Sequence, residues 1–342
     1  MQKVSRGRIA RRIGVGLLFA LVALLAGGAA YEFNARRVAQ KAFPAPGRLA
    51  DIGGRRIHID CRGSGAPTVI LEAGADTSGS ALWEPVAQAV SKTSRVCSYD
   101  RAGLMWSDPG PSPRDGEAIV GDLRKALEAT GEHGPYVMVG ASLGGPLVML
   151  YTARHPDDVA GVVFVDAAHP DQIARLEQAS GVVDDPAPLV FRAIASLAWT
   201  GLPRALLPTP DLPELPAHVA AAIGAYQAPS LAAALDEAVA MPAIFRQAGA
   251  LRNLGNRPLA VLSHGKQWQD YSAAQQAGAG MSREQFERHE AAWAQMQGEL
   301  ATWSSDSTHV TLRDSSHVVQ LERPDTVIAA IAEVVGKVRA RR

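Results

Sequence analysis

The chain has 342 residues, 47% apolar and 20% charged, with Lys plus Arg equal to Asp plus Glu at 34 each. That is the composition of a folded globular protein, and zero formal net charge without aromatic-basic clusters sets a nucleic-acid partner aside. Two cysteines, Cys61 and Cys97, supply neither a metal cluster nor a disulfide scaffold; they are either one bridge, as an extracytoplasmic location would permit, or two buried thiols.

Read in chain order, Lys3, Arg6, Arg8, Arg11 and Arg12 precede eighteen uncharged residues, Ile13 to Ala30, "IGVGLLFALVALLAGGAA". The length approaches a membrane span and exceeds the usual apolar core of a cleaved signal. Residues 1–34 are therefore expected to form a basic cytoplasmic segment and a signal anchor, with the remainder on the non-cytoplasmic side. Cleavage at "GGAA", giving a secreted or periplasmic protein, is the alternative. A linker over 35–47 follows, containing "AFPAPGR". "RLADIGG" and "RRIHIDCRG" read as a hairpin around Gly53-Gly54. "PTVILEAG" and "SRVCSYD" are strands separated by a helical piece from Leu82 to Val90. Glu117 to Thr130 is an amphipathic helix, "PYVMVG" a strand of the kind buried in parallel sheets, and Leu147 to Arg154 a helix that stops before Pro156. "AGVVFVD", "RPLAVLS" and "HVTL" are three further strands, with helices around Glu284 to Gln297 and Thr326 to Val338. Alternating strands and helices after an opening hairpin predict an α/β sheet covered on both faces. Residues 170–255, Ala-, Leu- and Pro-rich, interrupt the alternation and read as a helical cap, with a long helical crossover the plainer alternative.

Between "PYVMVG" and the following helix stands Gly140-Ala141-Ser142-Leu143-Gly144, which fits the G-x-S-x-G nucleophile elbow. A turn so sharp strains the serine backbone and requires neighbours without bulk. It also sets the hydroxyl at a helix amino end, where the dipole favours negative charge. Pro146 suits the first helical turn. A serine nucleophile needs a base. Among nine histidines, His317 in "DSSHVVQLERPDTV" combines a loop position after the last strand with the chain order this arrangement requires. His133, His155, His218 and His289 read as solvated, and His309 as opening a strand.

These residues resemble the α/β-hydrolase fold superfamily over roughly 48–342. The resemblance rests on Gly140 to Gly145, on His317, and on "YDRAGLMWSD" at 99–108, similar to the family's Asp-Arg-x-Gly-x-Gly-x-Ser segment with Met105 where glycine is usual. It implies a mostly parallel eight-stranded sheet with helices on both faces and a cap insertion at about 170–255. It also implies an oxyanion hole of backbone N–H groups, from Leu143 and from the loop "LEAGADTSG", where Ala75 is the choice. Asp76 nearby would oppose an oxyanion unless it serves the turn. In most members the triad acid follows the seventh strand, yet here the first carboxylate after "RPLAVLS" is Asp270, seven residues beyond Ser263. The sixth strand instead ends directly in Asp166, and haloalkane dehalogenases resemble this placement. A carboxylate leaving a buried strand needs a partner, so Asp166 is the expected acid and Asp270 the alternative; Asp314 reads as a turn residue.

The expected activity is hydrolysis of a moderately apolar carboxylic ester by Ser142, His317 and Asp166 through an acyl-enzyme, with no metal and no organic cofactor. The rivals are a peptidase or acyltransferase with the same triad, and a non-catalytic membrane-tethered binding protein of this fold.

Overall fold

The computed structural model describes residues 6–183 and 185–341, so Lys3 of the expected basic flank lies outside the described residues. The chain opens with helix α1 (Arg6–Ala42). Its first part is exposed: the apolar stretch is long enough to cross a membrane, and its most apolar window is unburied. The helix continues through 35–42, where a linker was expected, and only 43–47 connect it to the sheet. The reason is packing. Ala39 is buried, in a cluster with Met105, Val219, Ile223 and Tyr226, and Glu32 is 2% exposed, paired with Arg36 and Arg204. The helix stops where Pro44 disfavours a helical backbone at Phe43.

Strands β1 (Arg48–Asp51) and β2 (Arg56–Arg62) form the expected hairpin. There follow β3 (Thr68–Glu72), α2 (Glu84–Val90), β4 (Val96–Tyr99), α3 (Gly116–Thr130), β5 (Tyr136–Ala141), α4 (Gly144–Arg154) and β6 (Val159–Val165). The segment between β6 and β7 (Leu259–His264) is helical, with α5 (Gln172–Ser180), α6 (Leu189–Ser196), α7 (Leu202–Leu206) and α8 (Ala217–Ala248). The chain closes with α9 (Ala273–Gly278), α10 (Arg283–Ala301), β8 (Ser307–Leu312), α11 (Val319–Glu322) and α12 (Pro324–Ala340).

The eight strands form one sheet in the order β1-β2-β4-β3-β5-β6-β7-β8. The β1–β2 and β2–β4 pairs are antiparallel, and every later pair is parallel. Parallel strands covered on both faces are apolar along their length, and β3 and β5 are buried at every residue. One core lies beneath α3, α4 and α10, with Leu123, Leu150 and Leu300, and the other beneath α2 and α12, with Val86 and Ile331. Cys61 and Cys97 stand opposite each other on β2 and β4 and form a disulfide.

The two ends of α8 pack on different parts of the molecule. The end of α8 is a crossover helix, with Ile244 and Phe245 packed on Ile119, Leu143 and Leu147. The start of α8 lies away from the sheet, with Val219, Ile223 and Tyr226 packed on the end of α1.

Candidate active site

Ser142 lies between β5 and α4 with a backbone φ of +50°, a region that bulky residues adopt only under constraint. The glycines supply that constraint. A Cβ on Gly140 would stand 2.5 Å from the Gly144 carbonyl oxygen, and one on Gly144 would stand 2.4 Å from that of Glu72. Side chains at either position would push the strand, turn and helix apart. The Leu143 N–H lies at the amino end of α4. Met105, which replaces the usual glycine, also has positive φ, at +44°.

His317 leaves the loop between β8 and α11. Its Nε2 is 2.9 Å from Ser142 Oγ, and its Nδ1 is 2.5 Å from Asp166 Oδ2. Asp166 follows β6, fully buried and itself at φ +47°. Three of the sequence-predicted residues therefore meet in one hydrogen-bonded line. Asp270 does not join them. It is exposed and accepts from the Gln267 N–H at 2.7 Å, capping a short helical turn. Asp314 is likewise a surface residue, paired with Arg323.

Four donors serve the Asp166 carboxylate. Oδ2 receives both His317 and His264 Nδ1, the latter at 2.6 Å; Oδ1 receives the Trp293 indole N–H at 2.9 Å and the His264 backbone N–H at 3.1 Å. Burial alone would raise this carboxyl. The bonds from His264 and His317 outweigh it and hold the group well below the usual carboxylate range. The other nitrogen of His264 stands 2.6 Å from Glu290 of α10. A ring with a carboxylate on each nitrogen is held doubly protonated. Burial opposes that charge, but Asp166 and Glu290 prevail and push the His264 pKa up to about 10. Glu290 is in turn held low, its burial overcome by His264 and His289.

The sequence reading missed His264, Trp293 and Glu290. The available signal was a histidine at the end of the seventh strand, close to where most family members carry the triad acid. A ring nitrogen from each of His264 and His317 and an oxygen of Asp166 lie within metal-ligand reach of one another. Those nitrogens are already engaged by Asp166, Glu290 and Ser142.

The loop after β3 passes against the serine: a Cβ on Gly74 would be 3.2 Å from Ser142 Cβ. Ala75 is its exposed tip. Asp76 serves the turn, accepting from the Ser78 and Gly79 N–H groups at 2.5 and 2.9 Å, and burial pushes its pKa up to about 6 against those bonds and Arg101. Arg101, buried, holds this loop from behind. It donates to the carbonyls of Ala73 and Gly74 at 2.8 and 2.6 Å, to Glu72 at 2.9 Å, and to both oxygens of Glu237 on α8 at 2.8 Å. Those two bonds fix the backbone of the loop that passes Ser142. Tyr99 completes the cluster by donating to Glu72.

A family model described as alpha/beta hydrolase fold matches residues 67–216. The chain is similar to the uncharacterized protein YqjL of Bacillus subtilis, at 24% identity over 284 residues, covering 83% of this chain and 89% of that one. It is also similar to an uncharacterized protein of Schizosaccharomyces pombe, 32% identical over 155 residues, or 37% of this chain and 29% of that one. Matches to several curated relatives span well under half of their own lengths, at 18%, 29% and 39%. Among solved structures, the enol-lactonase of Burkholderia xenovorans LB400 superposes with a TM-score of 0.55 at 19% identity, covering 84% of this chain and 100% of that one. At that identity the likeness is one of fold. Sheet order, elbow geometry and the family match over residues 67–216 agree: the chain has the α/β-hydrolase fold.

Proposed function

We propose that the protein is a serine hydrolase that cleaves a carboxylic ester through an acyl-enzyme, with Ser142 as nucleophile, His317 as base and Asp166 as the orienting acid. The observation that carries this reading is the continuous line Ser142 Oγ, His317 Nε2, His317 Nδ1, Asp166 Oδ2, with steps of 2.9 and 2.5 Å. His317 Nε2 takes the Ser142 proton as Oγ bonds to the substrate carbonyl carbon. The tetrahedral oxyanion is held by the N–H groups of Leu143 and Ala75. Collapse expels the alcohol, which leaves with the proton from His317. Water, deprotonated by the same nitrogen, then releases the acid and restores Ser142. Asp166 keeps the His317 tautomer and offsets its transient charge. A moderately apolar ester suits a cap with few charges.

In this reading α1 anchors the enzyme in a membrane with the hydrolase domain on the non-cytoplasmic side. The exposed apolar run, the arginines before it and the disulfide support that location.

The test is labelling of the full-length protein by a fluorophosphonate, with hydrolysis of p-nitrophenyl esters of increasing acyl length. Both are expected in the wild type and absent in Ser142→Ala. A folded wild type inert in both assays overturns the proposal.

A further inference from the structure

We infer that the exposed apolar face of the cap around Trp199 lies in the interfacial layer of the same membrane that α1 crosses, so that the cap is seated on lipid. This rests on the reading of α1 as an anchor.

Leu189, Val190, Leu197, Trp199, Leu202 and Leu206 are all exposed, from 39% for Leu197 to 83% for Leu189. Single exposed apolar residues are ordinary, but five of these fall on α6, a 3-10 turn at Ala198–Thr200 and α7, with Leu197 joining the first two, and the turn packs on both helices. A concentration of that kind marks an interaction surface. From 186 to 210 the chain has no acidic residue, and its only charges are Arg192 and Arg204. Arg204 is turned away from that face, onto Glu32 of α1 and the Ala225 carbonyl.

The contact with α1 identifies the occupant. A Cβ on Gly28 would stand 2.2 Å from the Thr200 carbonyl oxygen, and one on Gly201 would stand 2.7 Å from Tyr31 Cδ1. The cap therefore meets α1 at residues 28–31, the end of the apolar run. At about 1.5 Å per residue, Ile13 to Ala30 extends about 27 Å, close to the hydrocarbon thickness. If the run fills that layer, Trp199 and the half-exposed Tyr31 stand at the boundary, where aromatic side chains concentrate. Nor can the cap swing clear, because buried Glu32 and Ala39 fix the helix against it. A protein partner would have to reach the same face between the helix and the headgroups, so lipid is the occupant.

The experiment reconstitutes the full chain in phosphatidylcholine vesicles. Alkaline carbonate extraction reads the anchor, and tryptophan quenching by lipids brominated near the glycerol end reads the cap. The chain is expected to resist extraction, and brominated lipid is expected to remove most of the fluorescence that Trp199→Phe also removes. An environment-sensitive label on Leu206→Cys is expected to shift to the blue on reconstitution. A chain that resists extraction while Trp199 stays unquenched and the label unshifted overturns the lipid-seated cap and leaves the anchor standing. A chain released by carbonate overturns both.

Discussion

His264 and Asp166 leave neighbouring strands, β7 and β6, and are joined twice: ring Nδ1 to Oδ2 at 2.6 Å and backbone N–H to Oδ1 at 3.1 Å. The Asp166 carboxylate thus shares its charge between two imidazoles, of which His317 reaches Ser142. Replacing His264 by glutamine removes the second cation while leaving a polar group in place. The expected result is a fall in kcat/KM of roughly tenfold, with the acidic limb of its pH profile moved upward, since an opposed cation is gone from beside the base. A profile that overlays the wild type would show that His264 is only a spacer.

The same residue predicts a pH dependence of stability. Facing Asp166 and Glu290, with His317 beyond, its pKa is raised to about 10 from an unfolded value near 6.5. The folded state therefore binds a proton more tightly, and this stabilisation is complete below about pH 6.5 and lost as pH climbs toward 10. The Tm gap between wild type and His264→Gln should be widest near pH 6 and close steadily up to pH 10. A gap independent of pH over that range contradicts the assignment.

Asp166→Asn and Asp270→Asn separate the two carboxylates that the sequence nominated. The first is expected to lower kcat by about 10⁴-fold, as loss of the tautomer-fixing acid does. The second should leave ester hydrolysis within about twofold, because an exposed cap of a short turn contributes only modestly to stability. The reverse ranking in a p-nitrophenyl ester assay would transfer the role to Asp270.

Arg101 is predicted to act on both folding and turnover. Arg101→Met leaves Glu72 and Glu237 buried without their cation and should cost about 3–5 kcal/mol in urea unfolding. Glu237→Gln keeps the shape and loosens the grip, and is expected to lower kcat about tenfold with KM little changed. Unaltered turnover in Glu237→Gln would separate the Arg101–Glu237 pair from the loop beside Ser142.

The disulfide closes a loop of 36 residues between strands already paired in register. Cys61→Ala with Cys97→Ala should reduce stability by about 2–4 kcal/mol without changing kcat, which denaturant unfolding and an ester assay at 25 °C would check together.

The legible part of this site was its local part. Ser142 could be read because the turn's demand for small neighbours is met within five residues, and His317 because chain order restricts it. Asp166 was legible as a carboxylate at the end of a buried strand. His264 was not, since its meaning depends on β6 and β7 being neighbours, which strand sequences do not state. Glu237 was hidden for a similar reason, being 136 residues from the arginine it holds. The continuation of α1 to Ala42 was masked by its charges: Glu32 and Arg36 look like linker residues until Arg204 supplies a buried partner.

Every N–H of the Arg101 guanidinium is already spent, two of them on α8 and two on the backbone beside Ser142. A hinge that lifted α8 would break the Glu237 bonds and free the arginine that holds the loop beside Ser142. Room for divergence is correspondingly uneven. The described residues of 172–196 are free of both the Arg101 clamp and the α1 contact made at 200–204, whereas α8 is held in place through Glu237.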